Sequence, residues 1–139
     1  MENAKEYLNN IHICEVRIKQ IEEEIETLLE LVTSTSISSE SEKVLSFASQ
    51  DKMADLIVHI QMRRDRLSEE KIKYADIRAD IINKINQLNN SDYEQILYQR
   101  YCLHRAWEEI AVDMRYSYRW ILKLHGRALK EFEKNIKSS

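Results

Sequence analysis

The sequence predicts an all-α protein, and three observations carry that reading. One glycine and no proline stand among 139 residues, so the turn punctuation that sheets and phosphate-cradling loops need is missing. Charged residues make up 32% of the chain and apolar ones 43%, the latter mostly Ile, Leu and Val, a balance that suits helices with one apolar face. Apolar residues also recur at alternating spacings of three and four. A chain of this length makes one compact domain, or a small domain joined to an extended helical part, and leaves no room for a large enzyme.

The first helix carries Ala4, Tyr7, Ile11, Cys14, Ile18, Ile21, Ile25, Leu28 and Val32 as a heptad seam. Charged residues fill the positions between, and the run Glu22–Glu26 is read as a solvated face, since no His or Cys supports a metal there. At 1.5 Å per residue this helix is roughly 45 Å long, and so narrow an apolar stripe needs a partner helix. Five serines in the nine residues Thr33–Ser41 offer local hydrogen bonds that compete with a helix, which predicts a linker over about 33–50. Val44, Leu45 and Phe47 form a short apolar patch within it.

Ser49 or Asp51 is the expected cap of a second long helix. It carries Met53, Leu56, Ile57, Ile60, Leu67, Ile72, Tyr74, Ile77, Ile81, Ile82, Ile85 and Leu88, with Arg64, Lys71 and Arg78 interrupting the row. Two long helices joined by such a linker give an antiparallel, coiled-coil-like helical hairpin over residues 1–90; its heptad can be satisfied within the hairpin, between two chains or in a four-helix arrangement, and a homo-oligomer, most simply a dimer, is expected.

Asn89-Asn90 breaks the pattern and a second domain is expected over 91–139. Ser91-Asp92-Tyr93-Glu94 has the spacing of a capping box, opening a helix from Asp92 to about Leu103 that buries Ile96, Leu97 and Tyr101. A helix from Ala106 to Met114 follows, directing Trp107, Ile110, Ala111 and Met114 inward. Ser117 is placed to cap the last helix, with core positions Ile121, Leu124, Ala128 and Phe132.

Charge divides unevenly between the two parts. Residues 1–90 hold 12 Lys or Arg against 17 Asp or Glu, and residues 91–139 hold 9 against 7. Arg115, Arg119, Lys123, Arg127 and Lys130 fall in one stretch without a single carboxylate, which confines any polyanion contact to the last helix and the turn before it. Cys14 and Cys102 sit far apart inside helical patterns, favouring thiols in a reducing compartment over a disulfide framework. No apolar run is long enough to span a membrane, and no signal or transit peptide is evident, so a cytoplasmic protein with no membrane contact is expected. Zinc-ligand spacings, nucleophile elbows and phosphate loops are absent from the sequence, so neither enzyme activity nor a cofactor is expected.

The row Ile110, Ala111, Met114, Tyr116, Ile121, Leu124 has helix-turn-helix spacing: a small residue where two helices cross, an apolar one after the turn, and two on the inner face of the second helix. The longer stretch Leu97-Tyr98-Gln99-Arg100-Tyr101, Trp107-Glu108-Glu109-Ile110-Ala111, Tyr116-Ser117 and Gly126-Arg127-Ala128-Leu129-Lys130 resembles the fourth conserved region of bacterial sigma factors. With Asn3-Ala4-Lys5-Glu6-Tyr7-Leu8 and Asp51-Lys52-Met53-Ala54-Asp55, nearly the whole chain looks like small phage-encoded transcriptional regulators of Gram-positive bacteria, the ArpU and RinA kind. The resemblance implies a phage or prophage protein that binds double-stranded DNA in a bacterial host and controls transcription. His104 and Arg115 stand at turns where relatives usually have Gly or another turn-former, and Arg115 then needs a left-handed or similarly restricted backbone, unless the turn is built differently.

A helical period that turns Ile121, Leu124, Ala128 and Phe132 inward places Arg119, Lys123, Gly126 and Lys130 on the opposite face. Tyr118 and Arg119, in the first turn, are expected at base edges; Arg115, Ser117, Arg127 and Lys130 are expected at phosphates, and Lys123 is a further cation on the face. Trp120 is expected to pack over the gap between helices, with contact to DNA sugar or to a protein partner as its alternatives. Alone, a basic helix face is an ordinary solvated surface; the helix-turn-helix spacing and the resemblance give it a DNA-binding reading. Two other readings compete: a protein-interaction module that binds RNA polymerase or another phage or host protein, and the DNA-recognition subunit of a phage packaging machine.

Overall fold

The computed structural model describes residues 3–38 and 46–138, and every regular element in them is helical. In chain order these are α1 (Ala4–Ser38), α2 (Ser46–Asn86), α3 (Ser91–Leu97), a π-helical turn (Tyr98–Cys102), α4 (Trp107–Met114) and α5 (Tyr118–Ser138). The all-α class read from composition and periodicity is the class observed. Among the described residues no helix is long and apolar enough to cross a membrane.

The long helices run further than their serines suggest. Helix α1 continues through Thr33 to Ser38 instead of yielding to a linker at 33, and α2 is already under way at Ser46, ahead of the expected caps Ser49 and Asp51. The hydroxyls adapt to the helix: Thr33 Oγ1 donates to the Leu29 carbonyl at 3.0 Å, as Thr27 Oγ1 does to Glu23. A side chain bonded to the carbonyl four residues back no longer competes for the backbone. The expected patch of Val44, Leu45 and Phe47 lies outside the described residues with side chains.

Two compact units share these helices, one built from Met1–Cys14 and Tyr74–Ser139, the other from Glu15–Lys73. In the second unit, Ile25, Leu28 and Ile60 are buried and Ile21, Val32, Leu56 and Leu67 pack around them. Arg63 reaches Glu24 at 3.8 Å. The polar interruptions of the α2 row are not those expected from the sequence. Arg64 and Lys71 are exposed, whereas Arg63 and Glu70 are the half-buried residues that continue the three-four spacing of Leu56, Ile60, Leu67 and Tyr74. Ile57 and Ile72, expected on the apolar row, are 56% and 65% exposed because that spacing passes them by.

In the first unit, Ala4, Leu8 and Ile11 join Ile81, Ile85, Ile96, Leu97, Ile110, Ile121, Leu124, Ala128 and Phe132 in one core. Tyr7 is tied by its hydroxyl to Asp80 and accepts a 2.7 Å hydrogen bond from Lys84, which also reaches Asp80 at 3.1 Å. Arg78, expected to interrupt the α2 row, donates instead to the Cys102 carbonyl at 3.2 Å. Cys14 and Cys102 are both buried thiols.

The start of α3 differs from the expected capping box by one residue. Asn90, in extended conformation, is the N-cap, and its Oδ1 accepts from the Tyr93 amide at 3.1 Å, while Ser91 opens the helix and its hydroxyl accepts from Gln95 Nε2. The helix expected to run to Leu103 widens its hydrogen-bond spacing after Leu97 into the π turn, closed by the Leu103 amide on the Tyr98 carbonyl five residues back at 3.1 Å. Buried Gln99 accounts for it. Its amide donates to Asp113 on α4 at 2.9 Å and its carbonyl accepts from Arg105 at 3.0 Å, so the turn is pinned to the next helix by a polar pair.

Candidate nucleic-acid interface

Helix α4 opens without a side-chain cap at Ala106, as its sequence implies, and ends at Arg115, whose φ of 60° and ψ of 40° are left-handed. His104, the other residue expected to occupy a glycine's place, also has φ 55°. Side-chain-bearing residues at such angles cost about 1 kcal/mol relative to glycine. The Tyr116 and Arg115 amides close the helix end on the Ala111 and Val112 carbonyls, the pattern in which a left-handed residue terminates a helix. Ser117 then caps α5 as the sequence predicts, its Oγ accepting from the Trp120 amide at 3.1 Å. Three residues, Arg115 to Ser117, therefore join the two helices.

Ile110 and Ala111 of α4 and Ile121, Leu124, Ala128 and Phe132 of α5 are buried, with Met114 packed beside them. The opposite side of α5 is left to solvent: Tyr118, Arg119, Leu122, Lys123, Gly126, Arg127 and Lys130 are all exposed, as are Arg115 and Ser117 in the turn. Each sequence-predicted site residue thus lies on one exposed stretch, the turn and the first four turns of α5. None of Arg115, Arg119, Lys123 or Lys130 forms an ion pair among the described residues, while the carboxylates further along, Glu131 and Glu133, are taken by Lys134 and Lys137. A Cβ at Gly126 would meet nothing within 4 Å, so the inner packing does not require this glycine.

Trp120 packs, as expected, at the side of the exposed stretch. It meets Tyr116 edge-on at 6.4 Å and carries the Arg127 guanidinium over its ring at 5.0 Å, which fixes one cation of the face. The Tyr116 hydroxyl donates to Asp92 at 2.6 Å, tying the turn to α3, and this hydrogen bond to a carboxylate raises the phenol above its ordinary pKa. No family model, curated protein or solved structure matches this chain. The geometry of the face is therefore its own description: four cations without acidic partners, a planted arginine and two apolar side chains, Tyr118 and Leu122, on one helix side.

Sequence reasoning missed what lies behind the N-terminus of α4. His125 is half-buried and shares a 2.7 Å hydrogen bond with the Tyr101 hydroxyl, its ring 4.5 Å from that of Trp107. Burial holds the His125 imidazole down at about pKa 4, helped by the positive charges of Lys5 and Arg100. Burial likewise raises Tyr101, against the opposing pull of Arg100. Arg100 lies over Trp107 at 4.3 Å and donates to the Arg105 carbonyl at 2.9 Å. The rings of His12 and His104 meet at 5.6 Å. Only the unusual adjacency of Arg100, Tyr101 and His104 hinted at this cluster; its members come from four separate stretches.

Proposed function

We propose that the protein is a sequence-specific DNA-binding transcriptional regulator of phage type, with α4 and α5 as the helix-turn-helix and α5 as the helix that enters the major groove. The single observation that carries this reading is the exposed side of α5: cations at Arg119, Lys123 and Lys130 with no acidic partner, following a left-handed turn and a Ser117 cap that leave the first turn of the helix open. Long cations reach phosphates and guanine edges, and a carboxylate-free surface avoids repulsion from the DNA backbone. Arg119 and Tyr118 serve base edges; Arg115, Ser117, Arg127 and Lys130 serve phosphates. The resemblance to sigma region four and to ArpU- and RinA-like regulators supports the same assignment, and the long helices over residues 1–90 serve as a hairpin through which two chains pair.

Arg119→Ala and Lys123→Ala test it, because neither side chain supports the core. Loss of a bidentate guanine contact at Arg119 should cost about 1–3 kcal/mol and relax preference at one base pair. Loss of a phosphate contact at Lys123 should weaken all sequences alike and shallow the salt dependence by about one unit. Titrations on selected and scrambled duplexes at several salt concentrations read both effects; unchanged affinity in both variants with intact helicity refutes the assignment.

A further inference from the structure

Within the first compact unit, a half-enclosed cavity of about 330 Å³ lies between the first turns of α1, the π turn and the N-terminus of α4. Its walls carry the cations of Lys5 and Arg100 together with Asn9, His12 and His104, and its floor is the ring cluster of Tyr101, Trp107 and His125. None of the lining residues is acidic.

We propose that this cavity is a binding site for a small phosphate monoester, of mononucleotide size or less. Several features carry the assignment together. Lys5 has no ion pair among the described residues, and Arg100 is held in place by the Trp107 ring and by the Arg105 carbonyl, which takes one of its five donors. A guanidinium so planted loses little freedom when an anion arrives. Donors from several directions around one concave space match an acceptor with three oxygens better than a flat carboxylate. The cavity stands at the small end of ligand-binding clefts, of which about 300 Å³ is the lower bound, so it admits a mononucleotide or a smaller phosphate ester and excludes a dinucleotide. Positive potential is already felt inside it, since Lys5 and Arg100 both disfavour the charged form of His125. Such a ligand would touch α1, the π turn and, through His125, the buried side of α5. The proposal is independent of DNA binding, because none of Arg115, Arg119, Lys123 or Lys130 lines the cavity.

The full-length protein is titrated with inorganic phosphate, with a nucleoside 5′-monophosphate and with the same nucleoside lacking phosphate, following heat and the ring resonances of Trp107 and His125. Phosphate and the monophosphate are expected to bind saturably and move both resonances, and the nucleoside is expected to do neither. Lys5→Gln, at an exposed side chain outside the core, should weaken binding about tenfold or more with unchanged helicity. Arg100→Gln should do the same, with Lys5→Gln deciding if that variant loses its fold. No saturable binding up to roughly 10 mM overturns the proposal. So do equal binding of the bare nucleoside, equal binding by Lys5→Gln, retention of Zn²⁺ in place of phosphate, or loss of phosphate binding in Arg119→Ala, which would move the anion to the outer face of α5.

Discussion

Acidification should destabilise the C-terminal helices through one residue, His125. Its imidazole faces the Tyr101 hydroxyl from the π turn, the Trp107 ring from α4, and the cations of Lys5 on α1 and Arg100, and its pKa is lowered from 6.5 to about 4. A depressed histidine is protonated in the unfolded chain before it is protonated in the folded one. Its contribution to stability is therefore complete above pH 6.5 and is lost as pH falls from there to about 4. A gap of that size at 1.36 kcal/mol per pH unit sets a ceiling of about 3.4 kcal/mol, and because the ring is only half-buried, solvent screening reduces the expected loss to about 1–2 kcal/mol. Urea unfolding at pH 7 and about pH 4.5 reads it, with His125→Gln as the reference that removes this residue while leaving the carboxylates that titrate in the same range. The wild type should lose more stability than His125→Gln by that amount. An imidazole resonance that titrates near pH 6.5, together with a wild-type advantage that is constant across pH, would refute the reasoning.

Arg115→Gly should raise stability by about 0.5–1 kcal/mol, since the left-handed backbone suits glycine and part of the gain is offset by a looser unfolded chain; thermal melting checks it, and the same variant should bind DNA less tightly if Arg115 meets a phosphate. Glu70→Leu should also stabilise, by about 1–2 kcal/mol, because Glu70 Oε2 is enclosed without a hydrogen-bond partner in the row of Leu67 and Tyr74. A lower urea midpoint for that variant would show that Glu70 finds a partner in solution.

The spacing of apolar residues determined more of this protein than any motif did. The seam from Ala4 to Val32 is buried or half-buried at every described position, and the inner residues of α4 and α5 were legible because a helix that must bury one side can place apolar groups only at three-four intervals. The Ser117 cap was legible too, since few residue types can accept from the first amides of a helix, whereas the restricted backbone at Arg115 was suggested only by the resemblance. Other features depended on what lies far away in sequence. Leu8 falls off the heptad seam yet is fully buried, because the first turns of α1 meet Phe132 and its neighbours and need a wider apolar side than a two-helix seam provides. The π turn exists because Gln99 finds Asp113, and no local pattern announces a buried amide whose partner is on the next helix. The cluster around His125 is the clearest case: Lys5, Arg100, Trp107 and His125 belong to four segments, each unremarkable by itself. Periodicity fixes which side of a helix is buried; only packing decides which polar groups are brought together behind it, because a polar residue's cost depends on the partner it meets.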